Sequence, residues 1–218
     1  MDRKQTCAFA LWLLSSTLAQ AQKNICEQSL DDLIHHATRQ EMEQCLAARL
    51  TPVNAKVTPI ELPLHDAALR GYVDVVRLLL KMKYAVDAQD SLGSTALHNA
   101  SLKGRLEVVT ILIDAGASPS TANRTASTPL HEAALGGNGK VIELLAAKGA
   151  NVNQQDSDGS TPLHLAAAFG RTQAIEALLN AHADARITNK RGQSPAAVAR
   201  SAGQDEAAKA LEQAPPKP

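Results

Sequence analysis

The chain has 218 residues, with 22 Lys or Arg against 22 Asp or Glu, so no net field draws it to nucleic acid or to an anionic membrane surface. Beyond residue 21 only Tyr72, Tyr84 and Phe169 are aromatic, too few and too scattered for the stacking platform that single-stranded nucleic acid needs. The composition suits thin layers of short helices packed through Ala, Leu and Val.

Residues 1–21 have the pattern of a secretory signal peptide. Arg3 and Lys4 supply the positive start, Cys7 to Leu14 the apolar run, and Ala19-Gln20-Ala21 a small-x-small cleavage site. A membrane anchor would need about 20 apolar residues, and this run is shorter. The expected mature chain begins near Gln22, inserts in no membrane and is exported, to a periplasm or to the secreted space. Two Asn-x-Ser/Thr matches, Asn99-Ala100-Ser101 and Asn123-Arg124-Thr125, are weak glycosylation acceptors. Asn99 is expected in a packed helix, which favours a bacterial host.

After the leader two cysteines remain, Cys26 and Cys45. An even count in an exported chain points to a disulfide. The alternative is two small buried hydrophobes.

From about residue 57 the chain repeats every 33 residues. Gly71, Gly104, Gly137, Gly170 and Gly203 share one phase, and His65, His98, His131 and His164 another. Leu79, Leu112, Leu145 and Leu178 form a third, and Ala67, Ala100, Ala133 and Ala166 a fourth. Four phases at one period mark an array of identical structural units.

Within each unit the segments read Leu-Pro-Leu-His at 62–65, Thr-Ala-Leu-His at 95–98, and Thr-Pro-Leu-His at 128–131 and 161–164. With Gly116-Ala117 and Gly149-Ala150-Asn151-Val152-Asn153 at unit ends, the chain resembles the ankyrin-repeat family. The resemblance covers roughly residues 57–212. It implies an all-α solenoid of stacked helix-turn-helix units with short β-hairpin-like fingers.

The physics of one unit agrees. Thr95 or Thr161 can cap a first helix, and Pro162 sits in its first turn at no cost in hydrogen bonds. That helix is expected from about Pro162 to Phe169, with Gly170 ending it. A second helix follows from about Thr172 to Ala181, with Ile175, Leu178 and Leu179 at core spacing. Asp158-Gly159 signals the finger turn. Thr125-Ala126 stands where the other fingers keep Gly93, Gly159 and Gly192, so the finger at 123–127 is expected to be less regular. No unit buries its apolar face alone, so the units must stack.

The domain plan is then a leader at 1–21, a diverged N-terminal capping unit at 22–56, four repeats at 57–188, a C-terminal capping unit at 189–212 and a disordered tail at 213–218. Pro-rich Gln213 to Pro218 and the polar end units fit that plan.

Chemical motifs fail one by one. The four histidines recur one helix-packing distance apart, about 8–10 Å, too far for neighbours to share a metal whose ligands lie near 2 Å. The resemblance makes His65, His98, His131 and His164 structural, bonded to finger backbone. His131-Glu132 begins a zinc-protease pattern, but Leu135 occupies the position of the second His. Gly136-Gly137-Asn138-Gly139-Lys140 is similar to a phosphate loop, but Ala134 and Val141 replace required residues. No catalytic residue, cofactor or metal is expected, and the chain is read as no enzyme.

Ankyrin arrays bind proteins through finger tips and the exposed ends of first helices. The resemblance therefore implies a binding face made by Leu69, Arg70, Leu92, Leu102, Lys103, Arg124, Leu135, Asp158, Phe169 and Arg191. Leu69, Leu102 and Leu135 form an apolar row at one phase, and such a row on an exposed face marks an interaction site. Leucines packed against neighbouring helices are the alternative reading. The expected function is non-catalytic binding of one protein partner, an envelope enzyme or toxin among the candidates, by a chain that is monomeric when free. A self-associating structural subunit is the alternative, and a metal protein or enzyme a more distant one.

Overall fold

The computed structural model describes residues 63–213. The expected leader, the unit at 22–56 with Cys26 and Cys45, and the tail beyond Gln213 lie outside the described residues.

Ten helices and no strand occur among the described residues, in five pairs. The pairs are α1 (Pro63–Arg70) with α2 (Val73–Lys81), α3 (Ala96–Leu102) with α4 (Leu106–Asp114), and α5 (Pro129–Gly136) with α6 (Gly139–Ala147). They continue as α7 (Pro162–Ala168) with α8 (Thr172–Asn180), and α9 (Pro195–Ser201) with α10 (Asp205–Glu212). First helices pack in one row, α1-α3-α5-α7-α9, and second helices in a parallel row behind it. The result is an all-α repeat solenoid. Both helices of the fourth described pair stop within a residue of the sequence expectation: α7 ends at Ala168 and α8 at Asn180.

Local chemistry explains why each first helix starts where it does. Thr95, Thr128 and Thr161 are N-caps in extended backbone, and each forms a reciprocal box with the His three residues on. The Thr hydroxyl accepts the His backbone N–H, and His Nδ1 accepts the Thr backbone N–H at 3.1 Å. Two otherwise orphaned donors are satisfied at once. Pro129 and Pro162 occupy the first turn, where their missing N–H is not needed. Gly137 then ends α5 at φ 81°, a left-handed conformation in which its N–H bonds back into the helix.

The core lies between the two rows. Leu64, Leu97, Leu130 and Leu163 come from the first helices, and Leu79, Leu112, Leu145 and Leu178 from the second, and all are fully buried. Each such side chain contributes about 1.5–3 kcal/mol by leaving water. Ala67, Ala100, Ala133 and Ala166 are equally buried, and their lack of bulk lets first helices pack closely. The two-row stack is therefore the arrangement in which no unit faces water with its apolar side.

The finger at 123–127 differs from the sequence expectation. Ala126 takes φ 57°, beside 78°, 73° and 72° for Gly93, Gly159 and Gly192. The turn closes as in the others, Asn123 N–H to the Ser127 carbonyl and Ala126 N–H to the Asn123 carbonyl, both at 2.9 Å. It is regular because the side chain of Asn123 holds it, accepting from the N–H groups of Thr125 and Ser127. Those bonds outweigh the roughly 1–2 kcal/mol that alanine costs in left-handed backbone.

Candidate protein-binding face

Each finger is built on one polar side chain. Asp90, Asn123, Asp156 and Asn189 share a single 33-residue phase. Each Oδ1 accepts from the N–H groups two and four residues on, at 2.8–3.0 Å. This Asx phase went unread in the sequence, although its period matches that of the histidines.

Backbone bonds then join one finger to the next. The N–H of Arg124 donates to the carbonyl of Leu92, Ser157 to Thr125, and Lys190 to Asp158, at 2.9–3.0 Å. The Lys190 ammonium adds a bond to the Ser157 carbonyl at 2.7 Å. Finger tips are thus held in a row rather than hung on separate loops.

The histidines tie these fingers to the helices. His65 Nε2 lies 2.9 Å from the Ser94 carbonyl, His98 3.1 Å from Ser127, His131 3.2 Å from Ser160 and His164 3.0 Å from Gln193. A carbonyl can only accept, so Nε2 carries the proton and, in the three boxed units, Nδ1 is left as acceptor. Burial lowers the pKa of all four rings below 6.5, against the opposing pull of the carbonyl bond, and they are neutral. Among the described residues no group of three His, Cys, Asp or Glu is placed to hold a metal ion.

The ten residues expected at the binding face fall into two groups. Leu92, Arg124, Asp158 and Arg191 are exposed at finger tips, Leu92 at 66%. Leu69, Arg70, Leu102, Lys103, Leu135 and Phe169 lie at the opposite, C-terminal ends of the first helices. A seven- or eight-residue helix, roughly 11 Å long, separates the two groups. Leu69, Leu102 and Leu135 are half-buried, whereas Phe169, just past the end of α7, is 52% exposed. Arg70 is not an isolated charge, since its Nε bonds Asp66 at 2.8 Å.

Two features of the helix ends were not legible in the sequence. Residues one phase apart reach back to cap the preceding unit: Arg105 Nε to the Leu69 carbonyl, Asn138 Nδ2 to Ser101 and Leu102, and Arg171 Nε to Leu135. Leu106 is 37% exposed at the start of α4. Midway along α5, Glu132 is half-buried and accepts the Ser127 hydroxyl at 3.1 Å. Burial raises its pKa, against the lowering effect of that hydrogen bond.

A separate open groove of about 650 Å³ lies among the second helices, lined by Glu143, Ala147, Asn153, Ala177, Asn180 and His182. It belongs to neither group.

A family model described as ankyrin repeats, in three copies, matches residues 22–123, 64–156 and 130–215. A comparison with curated proteins finds no match to the chain.

Proposed function

The chain belongs to the ankyrin-repeat family, whose members are protein-interaction modules and typically non-catalytic, and on that footing we propose that it is an exported protein that holds one protein partner on its finger row. The observation that carries this reading is the finger row itself. Backbone bonds from Leu92 to Arg124, Thr125 to Ser157 and Asp158 to Lys190 fix the tips before any partner arrives. A preformed surface loses little conformational freedom on docking. Leu92 offers an exposed apolar anchor, and Arg124, Asp158 and Arg191 offer charges that alternate in sign along the row. Export rests on the leader pattern of residues 1–21.

The test pairs Leu92→Ser with Arg124→Glu. Both side chains project from the tip, so far-UV circular dichroism and melting temperature are expected to stay at the wild-type values. Affinity chromatography on the exported fraction is expected to retain one stoichiometric protein with wild type and lose it with the double variant. A partner retained by the variant would overturn the assignment of the face, and self-association alone would support a structural subunit. Intact mass of exported protein should show loss of about 21 residues. A retained leader would remove the case for export.

A further inference from the structure

We propose that the interhelix turns of the second, third and fourth described pairs form a second docking edge, distinct from the finger row, that takes an acidic protein segment carrying a large apolar side chain. The third pair turns through Gly136-Gly137-Asn138-Gly139, three glycines around one asparagine. A Cβ at Gly136 would stand 2.1 Å from the Leu102 carbonyl oxygen and 2.5 Å from Asn138 Nδ2. The position therefore excludes every side chain. Arg171 and Gln173 pack onto Gly137 and Gly139 in the same way. The turn thus has no side chain at its glycines and lies as a low saddle, with Lys103 and Leu106 of the preceding pair on one side and Phe169 of the following pair on the other.

The walls of the saddle are apolar and exposed, Phe169 at 52% and Leu106 at 37%. Two of the three large hydrophobic side chains exposed among the described residues are here. Its charges are predominantly positive: Lys103, Arg105, Lys140 and Arg171 are all exposed. The acid beside them, Glu107, is already engaged by Arg77 at 3.4 Å. The other ion pairs among the described residues are Arg70–Asp66, Lys148–Asp114 and Arg200–Glu212, and none uses these four cations. In a chain of zero formal charge, four unneutralised cations at one saddle are a local excess.

Two of those cations are also held in place. Arg105 and Arg171 each spend Nε on a carbonyl of the preceding unit, and the Arg171 stem lies over Gly137. Their outer guanidinium nitrogens remain for a carboxylate, with less rotamer freedom to lose on binding. Apolar walls around fixed cations match an acidic segment with an apolar anchor. The scarcity of aromatic rings disfavours nucleic acid. The finger row differs, because its charges alternate between Arg124, Asp158 and Arg191.

The test is a random-peptide display selection on the mature chain, with each enriched peptide then measured against variants. Enriched peptides are expected to carry net negative charge and at least one large apolar residue. Lys103→Glu with Lys140→Glu should weaken them at least tenfold, as should Phe169→Ser with Leu106→Ser, and added NaCl should weaken them further. Arg124→Glu with Arg191→Glu, at the fingers, should leave them unchanged. Binders that respond to the finger variant and ignore the saddle variants would overturn this inference while leaving the finger-row reading intact. Neutral or basic binders would overturn it, and so would the failure of any peptide to distinguish wild type from the saddle variants. Saddle-dependent binding confined to phosphatidylserine vesicles or to a second copy of the chain would also overturn it.

Discussion

His131 Nε2 lies 3.2 Å from the carbonyl oxygen of Ser160, 29 residues further along the chain, while its Nδ1 closes the cap of its own helix at Thr128. One neutral ring thereby fixes a helix start and the finger that leads into the next unit. Because the bond crosses from unit to unit, its loss should loosen the stack and not merely one helix. His131→Ala is expected to cost about 1–3 kcal/mol in urea unfolding, since a buried carbonyl and two cap donors lose their partner. The far-UV spectrum of the folded protein should stay close to wild type. A variant as stable as wild type would show that the ring contributes nothing.

Stability should fall on mild acidification. The unfolded histidines titrate near 6.5 and the folded ones lower, because burial disfavours the charged ring. As pH falls below about 6.5 the unfolded chain binds protons that the folded chain refuses, so stability is complete above that pH and drains below it. Glu132 works in the opposite direction, its raised folded pKa favouring the folded state at low pH and losing that advantage as pH rises. Four rings outnumber one carboxyl, so the unfolding midpoint should decline between pH 7 and 5. A midpoint that rises over that interval would contradict the neutral-ring assignment.

Ser101→Ala should stabilise the protein. The Ser101 hydroxyl is buried without a hydrogen-bond partner, in a phase where the other first helices through α7 place Ala68, Ala134 and Ala167. Removing an unsatisfied buried hydroxyl is expected to gain about 1 kcal/mol, read as a higher urea midpoint at unchanged slope. A loss of stability would mean that the hydroxyl finds a partner in solution. His65 Nδ1 is the companion case: it too is buried without a partner, and the sequence has Leu62 at the phase where the later repeats have Thr95, Thr128 and Thr161.

Gly136→Ala should destabilise the junction of α3 and α5. Its Cβ would overlap the Leu102 carbonyl oxygen and crowd Asn138, whose amide caps Ser101 and Leu102 at 2.7 and 3.0 Å. Backbone must shift to admit it, at a cost of about 1–3 kcal/mol. Hydrogen exchange should quicken in α3 and α5 first. Wild-type protection there would show that the glycine is dispensable.

Periodicity in the sequence determined the helix pairs, their order and their cores, because capping, turning and apolar spacing act within a few residues. Thr128 and His131 meet within one helical turn, and Leu130 and Leu145 hold apolar positions that recur in every repeat. The Asx phase of Asp90, Asn123, Asp156 and Asn189 was equally available at that range. Exposure was decided elsewhere, by the side chains that neighbouring units bring to the same spot. Leu102 and Leu135 sit half-buried at helix ends whose carbonyls Asn138 and Arg171 cap, and Phe169 stays exposed past the end of α7. The glycine saddle likewise exists only because Leu102 of one unit comes within 2.1 Å of where a side chain at Gly136 would begin. A one-dimensional repeat specifies what each unit is made of; how closely two units approach depends on side-chain volume across their interface, and tertiary packing alone settles it.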